Sequence, residues 1–249
     1  MISIKSAREI ELMRVAGRLA SQTLDMIEKH IRPGVSTEEL NQLCHDFIVS
    51  HDAYPAPLNY KGFPKSVCTS INEVICHGIP NSKDILKDGD IINVDVTAIK
   101  DGYHGDTNRT FFVGEPSPEV RALVEFTREI TLKAIGIVKP GIRVGDIGHL
   151  IQTEAEARGY GVVREFTGHG LGRQFHEPPS IFHYGTPGTG AKIRKGMTFT
   201  IEPMINLGTH ALHVLDDGWT AITDDGKWSA QFEHSIVVTA EGSEILTVS

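Results

Sequence analysis

Four carboxylates and one histidine lie in short apolar or glycine-rich runs, where a solvated charge is not expected. They are Asp95, Asp106, His169, Glu202 and Glu233. Moving an ionised carboxylate out of water is costly unless a cation lies close by, and four converging acids would also repel one another. Oxygen donors with a single imidazole and no thiolate favour Mn²⁺, Fe²⁺ or Co²⁺ over a structural zinc. We therefore expect a site for divalent metal ions, two of which would balance four carboxylates.

Strand periodicity predicts how these acids reach a common site. Side chains alternate between the two faces of a strand, so Asp95 shares a face with Asn93 and Thr97, and the apolar residues between them face the core. Glu202 and Glu233 lie on the polar faces of two similar runs. For any one strand, a half-buried sheet with its polar face in water is the alternative. Three such strands and a glycine-flanked histidine together favour the metal site.

An Asp-Gly pair at 101–102 is a strong signal for a two-residue hairpin turn. If that turn forms, Thr97 faces Asp106 and Asp95 faces Asn108. Asp95 and Asp106 would then be diagonal neighbours on one face, roughly 7–8 Å apart at the backbone. We expect these two carboxylates to share a metal ion.

A faint internal repeat with an offset of 107 residues runs through the chain. Pro33-Gly34 recurs as Pro140-Gly141, and Asp95 corresponds to Glu202. Helices are expected near residues 6–29, 36–51, 117–136 and 144–158. Strands are expected near residues 67–71, 91–99, 103–113, 162–166, 198–207, 212–215, 219–223 and 228–238. We expect a single catalytic domain over residues 1–249, with similar halves at about 6–113 and 117–240 that both donate acids to a site between them.

Composition limits the class of function. The chain has 249 residues and a net charge of -8, which argues against a broad nucleic-acid surface. No apolar run reaches the roughly 18 residues of a membrane span, and no signal peptide is visible. Three cysteines without C-x-x-C spacing suggest neither a disulfide framework nor a zinc finger. We expect a cytoplasmic monomer with no membrane association and no nucleic-acid function.

One signature and five shorter motifs resemble those of type I methionine aminopeptidases, in order and spacing. They are SVCTSINEVICHGIP at 66–80, NVDV at 93–96, GDT at 105–107, GHGLG at 168–172, TIEP at 200–203 and QFEH at 231–234. The similarity extends from about residue 3 to the end of the chain. It implies an α+β pita-bread fold, in which two pseudo-symmetric halves surround an antiparallel sheet. It also implies removal of the initiator methionine from nascent polypeptides when the second residue is small.

By matching positions, the resemblance implies a role for each motif residue. Asp106, His169, Glu202 and Glu233 would hold one metal ion, and Asp95, Asp106 and Glu233 would hold the second. A water that bridges the two ions would attack the scissile carbonyl, with Glu202 as the acid/base. The residues His77 and His176 would bind the substrate and stabilise the tetrahedral intermediate.

The resemblance also implies a methionine pocket and a second kind of ion site. The pocket would be lined by Tyr60, Phe63, Cys68, Phe175 and Trp219, in addition to the two histidines. An apolar, partly aromatic slot suits a thioether side chain. A monovalent cation, Na⁺ or K⁺, would lie near Asn72, Val74 and Ser229.

The spacing of the motifs predicts the subtype and leaves two alternatives open. Glu202 and Glu233 are 31 residues apart, which leaves no room for the helical insertion of type II enzymes. We expect neither a zinc-binding extension nor the large N-terminal domain of prolidases, and therefore a bacterial-type enzyme. The alternatives are a non-catalytic binding module of the same fold and a prolidase-like aminopeptidase. The expected partners are nascent chains with an N-terminal methionine and, transiently, the ribosome.

Overall fold

The computed structural model describes residues 2–249, which contain four α-helices, a short 3₁₀ helix at Tyr60–Gly62 and fifteen strands. The helices are α1 (Ala7–Glu28), α2 (Thr37–Ser50), α3 (Pro118–Gly136) and α4 (Val144–Glu156). All four predicted helices are confirmed, with ends within two residues of the prediction. Ser6 and Ser36 form capping boxes with the glutamates three positions later, which satisfies free amides where α1 and α2 begin. Within the described range, no helix has the length and apolar character that crossing a bilayer requires.

The strands are short and pair in antiparallel fashion throughout. They are β1 (Tyr54–Pro55), β2 (Cys68–Ile71), β3 (Val74–Cys76), β4 (Ile91–Lys100), β5 (Tyr103–Phe112), β6 (Gly161–Val162), β7 (Gly168–Gly170), β8 (Glu177–Ile181), β9 (Thr198–Ile201), β10 (Met204–Asn206), β11 (Leu212–Val214), β12 (Ala221–Thr223), β13 (Ser229–Gln231), β14 (His234–Val238) and β15 (Ser243–Ile245). The sheet orders are β1-β4-β2 with β5 on β4, β13-β10-β6, β11-β12-β3 and β15-β14-β9-β7-β8. The predicted α+β class is confirmed.

The β4–β5 hairpin has the predicted register. Thr97 pairs with Asp106, and Asp95 pairs with Asn108. The turn residues at 101–102 both have positive φ, at 50° and 79°, as a type I′ turn requires. Asp95 and Asp106 are therefore diagonal neighbours on one face of the hairpin.

Two hydrophobic cores lie beneath the helices and leave the opposite faces of the strands free for a site. One core joins α1 and α2 to the apolar face of β4, which includes Ile92, Val94 and Val96. The other joins α3 and α4 to β9 and β10, which include Phe199 and Ile205. Because strand side chains alternate, Asp95 faces away from the first core.

The two halves are built with equal spacing. The helices α2 and α4 begin 107 residues apart (37 and 144), as do the strands β4 and β9 (91 and 198). An isolated bridge between Ser36 and Ile85 has its counterpart between Arg143 and Lys192, at the same offset. These offsets support the two predicted halves, which stay a prediction.

Helix α1 lies directly on strand β5. A Cβ atom on Gly105 would be 2.2 Å from the backbone nitrogen of Gly17 and 2.3 Å from the carbonyl carbon of Ala16. Only glycine permits this approach, because real Cβ atoms do not come so close to a neighbouring backbone. The contact fixes β5 at the residue that precedes Asp106.

Two long predicted strands, 198–207 and 228–238, are each interrupted at a glutamate. The Glu202 amide donates to His183 Nε2 at 3.2 Å, and Pro203 has no amide to offer. The Glu233 amide donates to the carbonyl of Asn108 on β5 at 3.2 Å. A third predicted strand, 162–166, ends at residue 162. Both glutamates therefore lie where a strand breaks. The backbone amide of Glu233 bonds to β5, and that of Glu202 bonds to a residue just after β8.

Candidate metal centre

A cavity of about 330 Å³ is lined by residues from 57–106 and from 165–233, and it brings the predicted site residues together. Its lining includes the five predicted metal ligands: Asp95, Asp106, His169, Glu202 and Glu233. It also includes the seven predicted substrate-binding residues: Tyr60, Phe63, Cys68, His77, Phe175, His176 and Trp219. Five separate strands position the acids and the histidine, since β4, β5 and β7 carry three of them and β9 and β13 end just before the glutamates.

Three of the predicted ligands form a compact cluster. Asp106, His169 and Glu233 each offer one donor atom, and these atoms lie within 4.8 Å of one another. His169 Nε2 is 3.4 Å from Asp106 Oδ2 and 3.7 Å from Glu202 Oε1. The other ring nitrogen, Nδ1, lies 3.0 Å from the carbonyl of Gly170 and can donate to it. This contact leaves Nε2 free to act as a metal ligand, the usual arrangement for such histidines.

Four neighbouring polar residues hold the carboxylates in place. The contacts are Thr97 Oγ1 to Asp106 Oδ1 at 2.6 Å, Asn108 Nδ2 to Glu233 Oε2 at 2.9 Å, Thr200 Oγ1 to Glu202 Oε1 at 2.6 Å and Gln231 Nε2 to Glu202 Oε2 at 3.3 Å. The sequence did not single these four out as site residues. Period-2 alternation was the available signal for all four, because each lies two residues from an acid in the same predicted strand: Thr97 from Asp95, Asn108 from Asp106, Thr200 from Glu202 and Gln231 from Glu233.

Without a cation, three of the four buried carboxylates, Asp95, Glu202 and Glu233, are shifted towards their neutral forms. Burial, followed by repulsion between the acids, raises the pKa values of Asp95 and Glu233 well above their ordinary range. Burial raises the pKa of Glu202 to about 7, against the attraction of His169. Burial opposes a charge on His169, but Asp106 and Glu202 raise its pKa to about 9. The site therefore lacks positive charge, and a divalent ion would supply it and release protons.

The donor set fits a divalent ion. Asp95 Oδ1 is buried and has no hydrogen-bond partner among residues 2–249. No group of the described chain donates to this oxygen, so its lone pairs are free to bind a cation. Burial and the nearby acids raise the pKa values of Cys68 and Cys76 well above the ordinary thiol value, so both stay protonated. The available ligands are thus carboxylate oxygens and one imidazole, the set that harder and borderline ions prefer.

Two neutral histidines face the same cavity. His176 Nδ1 lies 3.0 Å from the hydroxyl of Tyr60, and the two rings stack at 5.3 Å. Burial, with help from the charge on His169, lowers the pKa of His176 to about 4. Burial also lowers the pKa of His77, which has a positive φ of 58°. Near neutral pH both rings are uncharged and can each donate one hydrogen bond to a substrate.

Aromatic side chains form an apolar slot beside the acids. Phe63 meets Trp219 edge to face at 5.2 Å, and Phe175 lies 4.9 Å from Tyr60. Phe166, which packs edge to face on His77 at 5.1 Å, also lines the cavity, as does Met204. These last two were not predicted, because an apolar residue after a strand carries no signal that distinguishes it from core packing.

The predicted monovalent cation site has a less complete geometry. The carbonyl of Asn72 accepts a hydrogen bond from the Ser229 amide at 2.9 Å, and β3 begins nearby at Val74. Ser229 Oγ is buried without a partner in the part of the chain that the structure describes. The structure thus brings two of the three residues into contact, and the cation site stays a prediction.

Comparison with known proteins identifies the family. The model for metallopeptidase family M24 matches residues 11–240. Methionine aminopeptidase A of Synechocystis sp. is 59% identical over 247 residues, which cover 99% of this chain and 98% of that relative. The crystal structure of methionine aminopeptidase from Rickettsia prowazekii matches with a TM-score of 0.98 and 54% identity, over 100% of both chains.

A more distant neighbour shares the fold alone. The prolidase from Pyrococcus horikoshii OT3 has a TM-score of 0.78 at 24% identity, over 99% of this chain and 63% of its own. Together these neighbours confirm the predicted pita-bread fold. The methionine aminopeptidases match with 54–59% sequence identity over nearly the full length of both chains, whereas the prolidase matches at 24% over only part of its own length. The chain therefore belongs to metallopeptidase family M24 and, within that family, to the methionine aminopeptidases.

Proposed function

We propose that this protein is a metal-dependent aminopeptidase that removes the initiator methionine from nascent polypeptides when the second residue is small. One observation carries the proposal: the cluster of acids around His169 and the aromatic slot share one cavity. Methionine aminopeptidases with 54–59% identity over almost the whole chain support it. Nothing in the site favours the non-catalytic or prolidase-like alternatives.

The metal requirement follows from the donor set. We propose two divalent ions, Mn²⁺, Fe²⁺ or Co²⁺, with Asp106 and Glu233 as ligands shared by both, Asp95 on one ion, and His169 and Glu202 on the other. When bound, such ions lower the pKa of a water and polarise the scissile carbonyl. The hydrogen bonds from Thr97 and Asn108 would keep the shared carboxylates in a fixed orientation.

The protein's own groups supply proton transfer and substrate binding. Glu202 lines the cavity beside the other acids, and we propose that it accepts a proton from the attacking water and passes it to the leaving amine. Thr200 and Gln231 hold the two carboxylate oxygens of Glu202 during this transfer. The uncharged rings of His77 and His176 would donate hydrogen bonds to the substrate as charge develops on its carbonyl oxygen.

The shape of the cavity supports the substrate class. The slot between Phe63, Phe175 and Trp219 is apolar and aromatic, which suits a methionine thioether. The proposal includes a small second residue and hence a role in protein maturation. Cleavage of Met-Ala-Ser but not of Met-Leu-Ser would support both.

Partners and location complete the proposal. The substrates are nascent chains with an N-terminal methionine, with transient docking to the ribosome, and the enzyme acts as a monomer. The three cysteines of the described chain are buried and free, which supports the reducing cytoplasm. A Na⁺ or K⁺ ion near Asn72, Val74 and Ser229 is supported by the unpaired hydroxyl of Ser229.

A peptide assay on chelated protein tests the function. The protein is stripped of metal, reloaded separately with Mn²⁺, Fe²⁺, Co²⁺ or Zn²⁺, and given Met-Ala-Ser, Met-Leu-Ser, Leu-Ala-Ser and Xaa-Pro peptides. We expect rapid release of methionine from Met-Ala-Ser alone. Faster cleavage of an Xaa-Pro peptide would indicate a prolidase-like enzyme. Metal binding without cleavage of any peptide would indicate a binding module.

A further inference from the structure

A buried ion pair lies outside the cavity, behind the loop that carries Phe175 and His176. Lys5 Nζ is 2.6 Å from Glu177 Oε2, and the two side chains are only 6% and 14% exposed. Most ion pairs of the described chain are far more exposed, and exposed pairs contribute little. Removing one partner of a buried pair leaves an uncompensated charge, which is costly. We therefore expect that loss of either Lys5 or Glu177 would disturb the structure around the pair.

Glu177 receives hydrogen bonds from both sides. Ser3 Oγ donates to Oε2 at 2.7 Å, and the backbone amide of Gln174 donates to Oε1 at 3.2 Å. Burial raises the pKa of Glu177, but the hydrogen bonds from Lys5, Ser3 and Gln174 outweigh it and the pKa is lowered. Glu177 is thus an anion that ties the segment 3–5 to the loop 172–177.

Lys5 also passes close to the start of this loop. A Cβ atom on Gly172 would be 2.5 Å from Lys5 Nζ, so the ammonium lies against the loop backbone. The Lys5 amide donates to the carbonyl of Gly196 at 2.8 Å, which fixes the lysine backbone in turn. The carbonyl of Gly172 accepts from the backbone and the ring of His104, at 2.9 and 3.0 Å. The loop is held at both of its ends.

The loop connects the ion pair to the reacting groups. Glu177 follows His176 directly and pairs with Gly170, the neighbour of His169. The His176 ring lies 4.1 Å from the His169 ring. A shift of the backbone at Glu177 would therefore move His176 relative to the metal centre. Misplacement by about 1 Å can cost about 100-fold in rate.

We propose that Lys5 is a positioning residue, which acts through Glu177 to hold the loop 172–177 and so keeps His176 and Phe175 against the substrate. The proposal deepens the function proposed above and rests on it, because His176 must face the substrate. Lys5 itself is not among the residues that line the cavity.

Steady-state kinetics and hydrogen exchange of matched variants test this role. Lys5→Met keeps most of the apolar stem of the side chain and removes its charge, and Lys5→Arg restores the charge. Arg14→Met is the control, because Arg14 makes a two-point ion pair with Glu244, at 2.6 and 2.8 Å, far from the loop. Metal content is measured for each variant.

We expect Lys5→Met to lower kcat for Met-Ala-Ser by about 10- to 100-fold, with KM and metal content little changed and partial recovery in Lys5→Arg. The amides of 172–177 should exchange faster in Lys5→Met, while Arg14→Met should keep both kcat and the exchange of these amides. If Lys5→Met does not fold, Glu177→Gln tests the pair with a neutral acceptor, and about a 10-fold loss of kcat is expected.

Two results would overturn the proposal. One is a kcat within twofold of wild type in Lys5→Met or Glu177→Gln. The other is an equal loss of kcat in Lys5→Met and Arg14→Met, which would indicate general destabilisation. If the wild-type protein does not cleave Met-Ala-Ser, the proposed function fails. Even in that case, unchanged exchange of the 172–177 amides in Lys5→Met would refute the proposed role of Lys5 in holding this loop.

Discussion

Replacing Glu202 with glutamine should stabilise the metal-free protein at alkaline pH, although it removes a residue proposed for metal binding and proton transfer. The reason is that the fold buries this carboxyl group next to other acids. Its pKa is about 7 in the folded protein, against an ordinary value of 4.5. Glutamine has nearly the same shape and can still accept the hydrogen bond from Thr200, but it has no charge to desolvate.

The size and sign of the effect follow from this shift. A rise from 4.5 to about 7 corresponds to about 3 kcal/mol. Because the pKa of Glu202 is higher in the folded than in the unfolded protein, its contribution to stability is fully present below pH 4.5 and is lost as the pH rises through 7. The contribution of His169 to stability is present below its ordinary pKa of 6.5 and is lost as the pH rises through its folded pKa of about 9. Metal-free wild type should therefore lose stability steadily from pH 4.5 to 9.

Urea unfolding with EDTA at pH 5 and pH 8 measures the effect. Glu202→Gln should match wild type at pH 5 and exceed it by up to about 3 kcal/mol at pH 8. The loss of the attraction between Glu202 and His169 will reduce this gain. The exposed Glu241→Gln serves as the control and should show no difference at either pH. Added Mn²⁺ should reverse the order at pH 8, because wild type gains more from binding. An equal effect of Glu202→Gln at both pH values would refute the reasoning.

Three further predictions concern the ligands, the substrate and the fold. Asp106→Asn should abolish activity and tight metal binding. Thr97→Val removes only the hydrogen bond to Asp106 and should weaken the free energy of Mn²⁺ binding by about 1.5–3 kcal/mol. Calorimetric Mn²⁺ titration compares the two variants. His77→Ala should lower kcat and leave metal content intact, so loss of metal would contradict its substrate-facing role. Gly105→Ala should destabilise by about 3 kcal/mol or more in urea, because its Cβ would meet the backbone of α1. Gly136→Ala, with open space around it, should be neutral or stabilising.

Local rules were sufficient to predict the elements that position two of the acids. The Asp-Gly turn fixes the register of β4 and β5, and with it the diagonal placement of Asp95 and Asp106. Apolar periodicity predicts all four helices, and three of them begin after a serine cap. The repeat offset, seen first in Pro-Gly pairs and in Asp95 and Glu202, recurs in the bounds of helices and strands.

Features that depend on tertiary contacts could not be predicted in this way. Strand β7 contains two glycines and β8 two adjacent prolines, so both have weak strand propensity. They form because β7 pairs with β8 on one side and with β9 on the other. The breaks at Glu202 and Glu233 depend on His183 and Asn108, which are distant in sequence. For the same reason, the ion pair of Lys5 with Glu177, 172 residues away, has no local signature.

Crystals of the protein grown with Mn²⁺ and measured at the manganese absorption edge would show whether the five side chains bind divalent ions. We expect two anomalous peaks in the cavity, with Asp106 and Glu233 in contact with both of them. His169 and Glu202 should contact one peak and Asp95 the other. Manganese bound elsewhere, or a peak that fewer than three of these five side chains reach, would contradict the claim that they converge to bind divalent ions.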